Sequence, residues 1–360
     1  MNEAIRSPEQ AARALAALYD SCGYRPFRVQ KFERYDLYAE NKRFLLTEKV
    51  LTFTNTDGRL MAMKPDVTLS IVQNTPAEGL RKVRYHENVY REQRPGEGFR
   101  EIPQTGLECI GALDGCAVGE VVMLAARSLM AIRTPCVLTV SHVGVVAGVL
   151  EAAGLSEEAQ MAVFAAVGAK SVPAIRQLCP GDTADTLAAL IALSGALPQA
   201  LAEAASIPLP EKSRAALAEL SALADQLALY GVDCVRLDCS VVNDVTYYDN
   251  IVFRGYVAGA SAPVLSGGRY DRLLGRMGKP GGAIGFAIYL DRLEAVRSPR
   301  PEYDADTLIL FASDADVPLA VQTAEERRAA GERVRLERTA PAGLRFRTVL
   351  LAKDGEVRAC

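Results

Sequence analysis

Along this chain the spacing of apolar residues changes period several times, and each change predicts an element. Ser7-Pro8-Glu9-Gln10 followed by AARALAALYDSCGY predicts a helix with Ser7 as N-cap, Pro8 at the first helical position, Gln10 completing a capping box and Gly23 ending it. From Tyr24 to Tyr38 the pattern turns strand-like. Residues 51–54 and 60–63 flank Asn55-Thr56-Asp57-Gly58 and predict a hairpin. Lys64-Pro65-Asp66-Val67-Thr68 then leads into a helix over Leu69–Gln73. Asp66 and Thr68 thus fall where polar side chains either cap a helix or bind a ligand.

Two strand-like runs follow, Val83–Arg91 and Phe99–Ile110, with Gln93-Arg94-Pro95-Gly96-Glu97-Gly98 between them. The predicted element is an antiparallel hairpin with a long basic loop. Alternation puts Arg100, Gln104 and Glu108 on one face, and a turn near Pro95 sets Arg91 opposite Arg100. Two opposed arginines suit an anion; an amide and a carboxylate beyond them suit an amino group or ring nitrogens. The face reads either as the floor of a zwitterionic or phosphorylated ligand site or as ordinary solvated charge.

Beyond the hairpin, Glu120–Arg133 predicts an amphipathic helix and Cys136–Val140 a short strand. Residues 144–230 form an Ala- and Leu-rich helical insertion broken at Pro173, Pro180, Pro198, Pro208 and Pro210. Strand character returns at Asp233–Val242 and continues through Tyr247 and Tyr248 to Arg254, where alternation allows at most one of the two tyrosines to face a core. Ser266–Asp271 and Gly281–Leu293 are glycine-bearing, the latter passing from strand into a helix that carries Arg292. After Ser298-Pro299-Arg300-Pro301, residues 306–360 predict a small α/β unit with strands at Thr307–Phe311, Arg333–Arg338 and Arg345–Ala352 and a helix at Val317–Ala330.

Composition narrows the partners. With 44 acidic against 41 basic residues and a net charge of -3, no global footprint for nucleic acid exists. MNEAIRSPEQ lacks the apolar core of a signal peptide and no run of eighteen apolar residues occurs, so a cytoplasmic protein with no membrane partner is expected. The eight cysteines are scattered without metal-ligand spacing, which predicts buried free thiols and no metal or other cofactor.

Taken together, these motifs resemble the class II aminoacyl-tRNA synthetases of the histidyl type. Arg91-Glu92-Gln93-Arg94-Pro95 with Gly98-Phe99-Arg100 and Gln104-Thr105-Gly106-Leu107-Glu108 resembles the arginine-bearing second motif. Lys64–Thr68, Thr246-Tyr247-Tyr248, Gly267-Gly268-Arg269-Tyr270-Asp271 and Gly285–Leu293 resemble further motifs of that family in the same order. The resemblance implies an α+β fold, with a mixed, mainly antiparallel sheet flanked by helices over residues 1–300. It also implies a histidine site in which Asp66, Thr68 and Gln104 hold the amino end, Glu108 and Tyr248 read the imidazole with Tyr247 nearby, Arg91 faces a carboxylate or phosphate, and Arg100 and Arg292 sit in a nucleotide region.

Four departures qualify it. Asn243 replaces an arginine that stabilises charge during histidine activation, a loss on the order of 10²–10³-fold in rate. Tyr289 replaces a glycine beside the adenine space, and Gln93 a glutamate. The C-terminal unit is too short for a complete anticodon-binding domain, which argues against tRNA as a partner. These losses resemble the synthetase-like regulatory subunits of ATP phosphoribosyltransferase in histidine biosynthesis. That resemblance implies a non-catalytic protein that binds histidine, assembles with a short-form catalytic subunit into a hetero-oligomer, and forms a homodimer within it.

Overall fold

The computed structural model describes residues 8–45, 49–76, 78–92, 96, 98–242, 247–296 and 303–360. The expected Ser7 cap, the Gln93–Pro95 turn, the Asn243 substitution and the Ser298–Pro301 linker lie outside them. The chain divides into two compact units, Met1–Val296 and Arg297–Cys360, each with its own apolar cluster.

The first unit carries strands β1 (Arg25–Pro26), β2 (Phe32–Arg34), β3 (Thr52–Thr54), β4 (Leu60–Met63), β5 (Arg81–Glu92), β6 (Phe99–Gly111), β7 (Cys136–His142), β8 (Gly195–Ala196), β9 (Val235–Leu237), β10 (Ile251–Val257), β11 (Leu265–Arg269) and β12 (Gly282–Tyr289). Nine of them form one sheet in the order β1-β5-β6-β12-β11-β10-β7-β9-β8, while β2, β4 and β3 form a small separate sheet. The run from β5 through β12, β11 and β10 to β7 is antiparallel throughout, and only β1/β5 and β7/β9 pair in parallel. The fold is therefore α+β with a mixed, mainly antiparallel sheet.

Helices α1 (Pro8–Ser21), α2 (Tyr35–Glu40), α3 (Thr68–Asn74) and α4 (Gly115–Ile132) precede the insertion. Tyr19 of α1 bonds Ser128 of α4 at 3.0 Å and packs edge-on against Phe286 of β12, which ties both helices to the sheet. α4 starts at Gly115 rather than Glu120 because Asp114 accepts from the Ala117 N–H at 2.8 Å, a strong N-cap. Among the described helices α4 alone is long and apolar enough to cross a bilayer, yet 67% of it is buried within the fold. Six helices follow over Val143–Leu229: α5 (Val143–Ala152), α6 (Glu157–Gly168), α7 (Val172–Leu178), α8 (Gly181–Ala192), α9 (Leu197–Ala204) and α10 (Glu211–Leu229). Pro180 and Pro210 occupy N-cap positions, and Pro173 and Pro198 the first turns. Prolines begin these helices because an initial residue needs no intrahelical N–H.

Two strand expectations fail. Between Tyr24 and Tyr38 only β1 and β2 pair, and Tyr35 already opens α2. The run from Asp233 stops at Leu237, because Asp238 accepts from the Ser240 N–H at 3.0 Å and its hydroxyl at 2.6 Å and turns the chain. Tyr247 and Tyr248 stand outside any strand. Alternation does not apply to them, and both are buried.

In the second unit β13 (Ala305–Phe311), β14 (Val334–Glu337), β15 (Phe346–Lys353) and β16 (Glu356–Ala359) are ordered β14-β13-β15-β16, with an α-helix, α11 (Val317–Ala329), packed on Ile309, Leu350 and Ala352. β16 went unpredicted because all four of its residues are exposed and show no apolar alternation.

Lys64, the first residue of the Lys64–Thr68 motif, is a buried structural cation. It pairs with Glu87 of β5, which also accepts from the Val29 N–H at 3.1 Å. Only 1% of the Lys64 side chain is exposed, so removal of one partner strands a charge. Lys64→Ala is expected to cost about 3–5 kcal/mol in urea unfolding, and Lys64→Met with Glu87→Leu together considerably less than that.

Candidate functional site

The site is built on the β5–β6 hairpin. Its register pairs Arg91 with Arg100, Glu87 with Gln104 and Val83 with Glu108. Continuing across the sheet at the level of Glu108, the residues are Gly285 on β12, Gly268 on β11 and Val252 on β10. Two adjacent positions without side chains leave a trough beside the carboxyl. A Cβ at Gly285 would lie 1.7 Å from Glu108 Oε2, and one at Gly268 2.7 Å from Tyr248 Cδ1. Glu108 and Tyr248 therefore lie over glycines because nothing larger fits beneath them.

Three segments close over the trough. The turn from β4 into α3 supplies Asp66 and Thr68, the stretch before β10 supplies Tyr247 and Tyr248, and the residue after β11 is Tyr270. Thr68 Oγ1 donates to Glu108 Oε1 at 2.7 Å, and the Tyr270 hydroxyl donates to Oε2 at 2.5 Å. Tyr247 meets Tyr248 at 4.8 Å and Tyr270 at 5.6 Å between ring centroids. Asp66 accepts from the Leu69 N–H at 2.9 Å, so it both caps the start of α3 and faces the site.

The cavity is about 30 Å³ and is lined by all seven residues expected to hold histidine: Asp66, Thr68, Arg91, Gln104, Glu108, Tyr247 and Tyr248. Arg100 and Arg292 do not line it. Arg100 is exposed. Arg292, on a 3-10 helix over Leu290–Val296, stacks on the Tyr289 ring at 4.1 Å and donates to the Pro263 carbonyl. Arg91 reaches the same ring at 5.9 Å. A wider groove of about 880 Å³ opens by α2 and α3, but its Lys279 is occupied with the Val72, Gln73 and Thr75 carbonyls at the end of α3.

Burial dominates the electrostatics. The Glu108 carboxyl, which among the described residues has two hydroxyl donors and no cation bonded to it, is pushed up by burial to about 8, so it is largely neutral at pH 7. Asp66 is also raised by burial, against the lowering effects of the Leu69 N–H and Arg91. A neutral carboxyl can donate to one ligand nitrogen and, once ionised, accept from another. That suits a weak base such as imidazole better than a permanent cation.

Sequence reasoning missed three lining residues that matter here: Tyr270, Tyr85, whose hydroxyl reaches the Phe286 carbonyl at 3.4 Å, and Ser266. Tyr270 was visible in the Gly267-Gly268-Arg269-Tyr270 run. Its reach to Glu108 was not, because the bond spans 162 positions.

The histidyl-tRNA synthetase family profile matches residues 2–293. An ATP phosphoribosyltransferase regulatory subunit from Desulforamulus reducens is 30% identical over 335 residues, covering 88% of this chain and 82% of that one. Among solved structures, an ATP phosphoribosyltransferase regulatory subunit/histidyl-tRNA synthetase from Bacillus halodurans C matches with a TM-score of 0.78 and 25% identity, over 96% of this chain and 93% of that one. A chain of the ATP phosphoribosyl transferase complex from Thermotoga maritima shares the fold, with a TM-score of 0.62 and 18% identity over 79% and 97% of the two chains.

The raised Glu108 carboxyl sets a pH dependence. Between 4.5, its ordinary value, and about 8 the folded protein holds a proton that the unfolded chain has lost, so this group makes stability fall as pH rises through that window. Glu108→Gln should remove that fall. Urea midpoints of variant and parent are expected to diverge in the variant's favour from pH 5 to pH 8.5, and parallel curves would exclude a raised Glu108.

Proposed function

The chain belongs to the ATP phosphoribosyltransferase regulatory subunits, proteins built on a histidyl-tRNA synthetase-like class II domain, and from that premise we propose that it is non-catalytic and binds free histidine in the Glu108 cavity. Through that site it controls a short-form ATP phosphoribosyltransferase catalytic subunit in a cytoplasmic hetero-oligomer, within which it is a homodimer. One observation carries the ligand reading: seven residues from four separate segments line one small cavity, and among them is a buried Glu108 carboxyl whose proton is poised near neutrality.

In the proposed complex Glu108 and Tyr248 read the imidazole, with Tyr247 packed beside them. Asp66, Thr68 and Gln104 take the amino group, and Arg91 the carboxylate. At about 30 Å³ the cavity is far below the 300–1,000 Å³ of ordinary ligand sites. Binding therefore requires the Thr68 and Tyr270 hydroxyls to release Glu108. An amino acid lacking a ring nitrogen would leave that carboxyl without a partner, which is a strong basis for rejection.

The non-catalytic reading is supported by Tyr289, whose ring is stacked against Arg292 and approached by Arg91. Two cations are thereby placed around a protein ring. Regulation follows from linkage: histidine shifts the partner's activity only by binding two assembly states with different affinity.

Glu108→Ala and Tyr248→Ala should each weaken histidine binding at least about tenfold, or 1.4 kcal/mol, in calorimetry, with cooperative unfolding retained; unchanged affinity in both would remove the site. Mixing the chain with a short-form catalytic subunit should raise phosphoribosyltransferase activity, and added histidine should lower it again. Histidine-dependent ATP–pyrophosphate exchange by the chain alone would instead establish a divergent histidyl-tRNA synthetase.

A further inference from the structure

Tyr247 and Tyr248 stand outside any strand, so a sheet ladder does not set their rings over the Glu108 trough. Much of what holds this stretch comes from the next residue, Asp249. Its N–H donates to the Arg269 carbonyl at 3.1 Å, and its carboxylate accepts from the Arg272 N–H at 2.7 Å and more weakly from the Asp271 N–H at 3.4 Å. Those two donors open the short helix Asp271–Arg276, which receives no side-chain cap from its own preceding residue, Tyr270. Asp249 supplies that cap from a separate segment, more than twenty positions earlier in the chain. The Arg272 guanidinium completes the clasp: its Nε stands 3.5 Å from the Asp249 carboxylate, and a terminal nitrogen donates to the Tyr248 carbonyl at 3.3 Å.

The corner that Asp249 grips is the one that carries Tyr270. On either side of that tyrosine, Arg269 and Asp271 form an ion pair at 2.7 Å. Asp271 also accepts from the Ala283 N–H at 3.0 Å, and the Tyr270 N–H donates to the Ala283 carbonyl at 2.8 Å, so the corner is fixed to β12. From it the Tyr270 hydroxyl reaches Glu108, and the Tyr270 ring meets Tyr247 at 5.6 Å. Asp249 is not among the residues lining the cavity, and only 15% of its side chain is exposed. It nevertheless joins the segment carrying two of the cavity's rings to the corner carrying the third.

We propose that Asp249 is a positioning residue for the ligand site, the clasp that keeps the Tyr247 and Tyr248 rings in register with Tyr270 and Glu108. The inference rests on the histidine site proposed above and adds the residue that holds its aromatic wall. A carboxylate suits the task because it accepts from two adjacent N–H groups at a helix start and faces a guanidinium at the same time. Asparagine keeps one acceptor oxygen but turns an amide nitrogen toward those donors, and alanine removes both acceptors. A ring wall that can shift no longer presents one geometry to an imidazole, so the cost falls on ligand affinity and not on the fold alone.

The test compares Asp249→Ala, Asp249→Asn and Asp114→Ala in the full-length chain. Asp114 makes the same kind of cap at the start of α4 and does not line the cavity, so its variant controls for lost stability. Because the chain has 13 tyrosines and no tryptophan, near-ultraviolet circular dichroism without ligand reports on the tyrosine rings. Asp249→Ala is expected to diminish that signal and to weaken histidine binding about tenfold in calorimetry, with Asp249→Asn between it and the parent. Asp114→Ala should lower the urea midpoint and leave both readouts as in the parent. An unchanged tyrosine signal or unchanged affinity in Asp249→Ala, or an equal loss of affinity in Asp249→Ala and Asp114→Ala, would overturn the proposal. Should Asp249→Ala not fold, Asp249→Asn decides by the same two readouts. A parent chain that gives no heat with histidine overturns the ligand reading, while the tyrosine signal still decides whether Asp249 clasps the rings.

Discussion

A carboxyl group buried in the middle of a sheet must find donors within the protein, and Glu108 finds them in Thr68 and Tyr270. Much of the local architecture follows from that need. Thr68 can reach Glu108 only if α3 starts directly above β6, and Asp66 sets that start by taking the Leu69 N–H. Tyr270 can reach it only if β11 lies two strands away with no intervening side chain, which the glycines at 285 and 268 provide. One carboxyl thus joins a loop, a helix and three strands, and among the described residues it does so without an ionic partner, so it stays close to neutral.

Strand alternation made part of this arrangement readable in advance. Gln104 and Glu108 fall on one face of a single strand, and the pairing of Arg91 with Arg100 follows from the hairpin turn, so local periodicity was enough. Tyr247 and Tyr248 defeated the same logic because their backbone is not extended as a strand. The role of Lys64 was not legible for a different reason: its partner Glu87 lies 23 positions away on another element, and nothing local distinguishes a ligand-facing lysine from a buried ion pair. Asp354-Gly355, with φ of 51° and 82°, is the kind of turn that pairs β15 with β16. It went unread because its second strand is polar and exposed. The glycines of β11 and β12 were visible as permissive positions, but the side chains they make room for come from other segments.

Because Glu108 is already satisfied, a ligand cannot simply enter; it has to replace bonds of similar quality. Thr68 is the first residue of α3, a helix of only seven residues. The opposite end of that helix is held by Lys279, which donates to the Val72, Gln73 and Thr75 carbonyls. So short a helix has little internal freedom to absorb a displacement at one end. The Lys279 contact at that end stands beside the wide groove, which Gln73 and Lys279 both line. The small cavity and the large open groove thus share α3, which lines the first through Thr68 and the second through Gln73.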